Sequence, residues 1–297
     1  MSAQRARLGG LALAAAGSVL FSFKAIIVKL SYRYGVDPVT LIALRMAFAL
    51  PLFALAAWYA GRNAGARLGA RDVLPIAGMG LVGYYLASFL DFIGLQYISA
   101  GLERVILYLN PTLVMLISVL VLRKRVVPLE WIALVIAYAG VLFVFWHDLN
   151  VSGDDVPLGA ALVFGSALAY AVYLVVGGEF VARIGPIRLT AWASIVACIA
   201  CLVQAVALDA RALVSQPAEV YGLSVVNAVL CTVLPIFMVM VGVARVGSSA
   251  AAQTGMLGPA ATIASAALLL DEPVSATQLF GTAIVLAGVF LLTMRKD

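Results

Sequence analysis

The sequence predicts an all-α polytopic membrane protein, with ten transmembrane helices arranged as two inverted five-helix repeats. Three observations carry this expectation: long apolar runs, a pattern that occurs twice, and basic residues sorted by loop. Of 297 residues, 64% are apolar and only 11% are charged, far from the balance of a soluble domain. A bilayer core needs about 20 apolar residues per helix, so this chain can be almost all spans and short loops. The runs are continuous and do not alternate at period two, which excludes a transmembrane β-barrel.

The spans fall at about residues 8–30, 40–60, 73–96, 99–122, 128–146, 157–180, 187–208, 219–241, 249–270 and 275–294. Turn and breaker residues separate them: Gly35 to Pro38, Gly61 to Gly69, Asn150 to Pro157, Gly185-Pro186, Gln216-Pro217, Gly247 to Ser249, and Pro273. Arg5 and Arg7 precede the first run, as in a signal peptide. That run continues to Leu30, too long for a signal sequence, and is expected to be an uncleaved span.

The duplication is clearest between Ser99–Phe145 and the stretch 148 residues later. Leu109-Asn110-Pro111 answers Leu257-Gly258-Pro259, and Ala139-Gly140-Val141 answers Ala287-Gly288-Val289. The charged knot Arg123-Lys124-Arg125 falls where the second copy has Asp271-Glu272. Near the start of each half, Gly35 and Thr40 align with Gly185 and Thr190. With the N-terminus inside and sides alternating, 13 basic residues fall in inner loops and three (Lys29, Arg33, Arg211) in outer ones. This is the positive-inside pattern, and the net charge of +5 is therefore an orientation signal, not a nucleic-acid surface. The expected halves are residues 1–148 and 149–297. Five spans per half is odd, so the halves must enter the membrane in opposite senses.

Candidate functional groups sit at mid-membrane depth. Pro111 and Pro259 remove a backbone donor near the middle of matching spans, and both are expected to act as hinges. Tyr84, Tyr85, Tyr108, Asn110, Tyr170, Tyr173, Asn227 and Gln253 also fall at that depth, away from the interfaces where tyrosine is ordinary. Buried phenols and amides need partners, so these eight are the expected substrate-binding set, suited to a small amphipathic solute. Helix–helix hydrogen bonding accounts equally well for any one of them. Lys24, Arg45, Asp91, Glu103 and Arg104 lie inside spans, toward the expected outer side. Lone charges in a bilayer are costly, so Lys24 is expected to pair with Asp91, and Glu103 with Arg45 or Arg104, forming an outer gate.

An enzyme is not expected. The single histidine, His147, lies at a loop edge without a nucleophile or metal-ligand pattern, and there is no P-loop. Cys198 and Cys201 form a C-x-x-C inside an apolar run, which reads as packing and not as a metal or redox site. No cofactor and no metal are expected.

The stretches SVLFSFKAIIVKL, DPVTLIALRMAFAL, YISAGLERVILYLNPTLVMLISVLVLRKRV and AIVLAGVFLL resemble the drug/metabolite transporter superfamily, EamA-type, over essentially the whole chain. The resemblance implies a five-plus-five inverted fold and, within it, is strongest to bacterial amino-acid exporters, including the aromatic amino-acid type. Many members carry an acidic residue after the fourth span, where this chain has Arg123-Lys124-Arg125. The expectation is a bacterial inner-membrane exporter of amino acids, multi-pass, with both termini cytoplasmic, working by alternating access through a central cavity. Its expected partners are the small-molecule substrate and the lipid bilayer, with no nucleic acid. Two alternatives stand beside it: an exporter of cationic drugs or another metabolite, and a non-transporting membrane scaffold.

Overall fold

The computed structural model describes residues 3–62, 68–122, 128–152, 155–253, 267–270 and 275–293. Pro259 and both charged knots lie outside the described residues, as does the side chain of Gln253.

Among the described residues all regular structure is helical, and seven helices are long and apolar enough to cross a membrane. They are α1 (Arg7–Tyr32), α2 (Pro38–Arg62), α3 (Arg71–Gly94) and α4 (Ala100–Val121) in the first half. In the second half they are α6 (Val156–Ile184), α7 (Pro186–Leu213) and α8 (Ala218–Val246). Helices α5 (Pro128–Ser152) and α10 (Ala276–Thr293) occupy the fifth and tenth expected spans. The ninth is described at its ends, where α9 (Ser248–Gln253) begins it.

Local chemistry fixes these boundaries. Asp37 accepts from the Thr40 amide, Ser99 from Leu102, and Ser275 from Gln278, each at 3.0 Å, so α2, α4 and α10 open on side-chain caps. Pro157 and Pro186 occupy the first turns of α6 and α7, where their missing N–H costs nothing. Gly35 and Gly185, aligned from sequence, end α1 and α6 at φ +77° and +87°, a backbone region that side-chain-bearing residues avoid.

Helices pair across the halves: α1 with α8, α2 with α7, α3 with α6, and α5 with α10. Exchanging the halves maps this set of pairs onto itself. The internal irregularities match too. A π-helical segment interrupts α3 at Gly80–Leu86, and another interrupts α8 at Val229–Val233. In α8 the cause is Pro235, which cannot donate to the Cys231 carbonyl, so the preceding ladder loosens to wider bonds. In α3 the segment contains Gly80 and Gly83; a Cβ on Gly83 would stand 2.3 Å from that of Tyr173.

Polarity is distributed as lipid requires. Leu74, Val203, Leu208 and Leu279 are exposed on the outside of the bundle, while Asp91, Glu103 and Asn227 are buried within it. The four tryptophans, Trp58, Trp131, Trp146 and Trp192, are all exposed and lie within two turns of a helix end. That is the position of an interfacial aromatic belt.

Candidate functional site

The site begins at two interruptions. Helix α1 breaks at Phe23, and the Arg104 guanidinium donates to the carbonyls of Phe21 and Ser22 at 3.2 and 3.1 Å. Helix α4 breaks at Tyr108–Leu109, just before Pro111. Pro111 has no N–H for the Leu107 carbonyl, and the Asn110 side chain supplies the missing donor, Nδ2 to Leu107 oxygen at 3.0 Å. Asn110 therefore repairs the bend, and only its Oδ1 has no hydrogen-bond partner among the described residues.

Between these interruptions the charges gather. Lys24 Nζ lies 2.5 Å from Asp91 Oδ2 and 3.4 Å from Glu103 Oε1. Arg104 Nε lies 3.6 Å from Glu103 Oε2. The expected Lys24–Asp91 pair is present, and Glu103 takes Arg104 as its partner, not Arg45. Arg45, 3% exposed, makes no ion pair among the described residues; its guanidinium sits 4.5 Å over the Phe92 ring.

A cavity of about 150 Å³ extends from this cluster to Pro111. Along α4 the distance from Arg104 to Pro111 is roughly 10 Å at helical rise. Its wall comes from α1 to α4 of the first half and from α6, α8 and α9 of the second. Tyr84, Tyr108, Asn110, Pro111 and Tyr170 line it, and so do Lys24, Arg45 and Arg104. The two acids do not. The Tyr84 hydroxyl donates to that of Tyr173 at 2.7 Å, and Tyr170 stacks on Tyr173 at 5.9 Å between centroids. Tyr173 thus supports the wall from behind, and Gly83 is the residue whose missing side chain lets it approach.

Other expected site residues lie elsewhere. Tyr85 points off the wall and stacks on Phe89 at 6.2 Å. Asn227 is fully buried away from the wall, its amide unpartnered among the described atoms. Sequence reasoning missed Ser18, Ser166 and Thr232 on the wall. Thr232 was within reach, since it lies 148 residues after Tyr84, the spacing of the two prolines, and in the matching π-segment. Among the described residues no group of three His, Cys, Asp or Glu side chains is placed to hold a metal.

A wall of phenols, hydroxyls and cations around a space of this size can hold a small polar solute between the two halves. The model of the EamA-like transporter family matches twice, at residues 8–146 and 157–294. The uncharacterised transporter YcbK of Bacillus subtilis is 31% identical over 93% of this chain and 88% of its own length. The threonine/homoserine exporter RhtA of Salmonella typhimurium is 26% identical over 71% of this chain and 68% of its own. A solved crystal structure superposes with a TM-score of 0.66 at 18% identity, covering 96% of this chain and 98% of that one, a likeness of fold alone. With both halves matched by the same family, this chain belongs to the EamA-like transporters.

Proposed function

We propose that this transporter exports amino acids across the bacterial inner membrane by alternating access. Residues 1–148 and 149–297 act as two inverted five-helix repeats, with both termini cytoplasmic. The observation that carries the reading is the cavity itself, lined by helices of both halves at the depth of Pro111 and walled by Tyr84, Tyr108 and Tyr170. A space of about 150 Å³ is of the order that admits a benzene-sized guest. It is smaller than a drug-sized pocket and favours threonine-sized over tryptophan-sized solutes. The similarity to a threonine/homoserine exporter supports the same class. The cationic-drug alternative is disfavoured because every charged residue on the described wall is basic.

Pro111 and its counterpart Pro259 supply flexure, and contacts between the halves join helix ends. At one end Arg33 donates to the Leu270 carbonyl at 2.7 Å. At the other, Arg183 of α6 pairs with Asp72 of α3. Flux of radiolabelled amino acids in proteoliposomes tests the reading. Exchange of threonine or a similarly small amino acid is expected, and a panel without any flux rejects the substrate class.

A further inference from the structure

Among the described residues of the cavity wall, Arg45 is the cation without an ion-pair partner. It is 3% exposed and lines the cavity, and its Nε and Nη2 have no hydrogen-bond partner among the described residues. Those two atoms form the side-on edge of a guanidinium, the fork whose parallel N–H groups match the two oxygens of a carboxylate. The other buried cations are committed. Lys24 is held by Asp91 and Glu103, and Arg104 by Glu103 and two carbonyls of α1. Asp91 is not within ion-pair distance of Arg45 among the described residues and gives Oδ2 to Lys24.

Counting Lys24, Arg45 and Arg104 against Asp91 and Glu103, the cluster carries one positive charge in excess. A desolvated, uncompensated guanidinium is costly, and the Phe92 ring offsets only part of the cost. An anion entering the cavity removes that penalty, so binding gains most from the one substrate group that can fill the fork.

We propose that Arg45 is the carboxylate anchor of the transport site, taking the substrate's carboxylate side-on through Nε and Nη2. The uncharged part of the solute then lies toward Tyr84, Tyr108 and Tyr170. This inference rests on the transport reading above, yet it makes a separate demand: recognition of the carboxylate and not of the amine.

The test is thermal stabilisation of the purified full-length protein in nanodiscs by L-threonine, L-phenylalanine, 3-hydroxybutyrate and L-threoninol. The third has no amine, and the fourth has no carboxylate. At least one of the three carboxylates is expected to stabilise the wild type, while threoninol does not. R45Q is expected to weaken that binding roughly 10- to 100-fold, the range of a charge-assisted pair, and R45K to weaken it less. Stabilisation by threoninol equal to that by threonine overturns the anchor. So does undiminished carboxylate binding in R45Q, and so does the absence of stabilisation by every carboxylate. If R45Q does not fold, the wild-type comparison of threonine with threoninol decides alone. Arg45-dependent binding of 3-hydroxybutyrate without amino-acid flux sustains the anchor and rejects the amino-acid reading.

Discussion

Lys24→Met removes the central cation of the buried cluster and strands Asp91, which has no other ion-pair partner among the described residues. In the intact protein Lys24 Nζ lies 2.5 Å from Asp91 and 3.4 Å from Glu103, and both acids are essentially inaccessible at 1% and 0% side-chain exposure. After the change Asp91 has no ion-pair partner among the described residues, and Glu103 keeps only Arg104 at 3.6 Å. Stranding a buried charge in this way costs about 3–5 kcal/mol. Asp91→Asn is milder, because Lys24 retains Glu103 and the amide keeps an oxygen to accept from the ammonium; roughly 1–3 kcal/mol is expected. The double variant leaves no stranded carboxylate, since Asp91 is neutralised and Glu103 still pairs with Arg104. Its loss is expected to fall short of the sum of the single losses by about 1 kcal/mol or more. Equilibrium unfolding in mixed micelles, read by helical circular dichroism, gives all four values. A Lys24→Met loss no greater than that of Asp91→Asn, or strict additivity in the double variant, would refute the reasoning.

Three further outcomes follow from separate contacts. Gly83→Ala places a Cβ 2.3 Å from the Cβ of Tyr173, and an overpacked helix crossing of this kind costs about 1–3 kcal/mol; a thermal melt should register it. Asn110→Ala takes away the donor that satisfies the Leu107 carbonyl, lowering stability by roughly 0.5–1.5 kcal/mol in the same measurement. Arg183→Gln removes an ion pair to Asp72 whose arginine side chain is 58% exposed. Solvent screening holds that loss below about 1 kcal/mol, and high salt should abolish the difference in melting temperature from the wild type.

Much of this architecture was legible in the chain. Apolar run length placed the helices, and the Gly35–Gly185 alignment marked two helix ends that adopt positive φ. The fused pattern around Pro111 announced a bend, and the cost of lone charges foretold the pairing of Lys24 with Asp91. The roles of individual polar residues were less visible. Asn110 read as a ligand by depth alone, but the adjacent proline creates a bare carbonyl that its side chain is best placed to serve. Tyr84 and Tyr85 are neighbours in sequence, yet one bonds Tyr173 on the cavity wall and the other stacks on Phe89. Neither π-segment was expected, because wider backbone bonds leave no hydrophobic period to detect. They arise from Pro235 in α8 and lie over the close approach at Gly83 in α3.

By itself, the sequence determined that the chain lies in a membrane, that it is duplicated, and which residues carry charge inside it. Those properties depend on composition and spacing along one dimension. Only the tertiary structure decided that Glu103 takes Lys24 and Arg104 while Arg45 is left over a phenyl ring, its fork unfilled among the described residues. Partner choice among five buried charges on four helices depends on distances of a few ångströms between segments far apart in the chain. Helix crossings at Gly83 and the break at Phe23 set those distances, and no periodicity in the sequence encodes them.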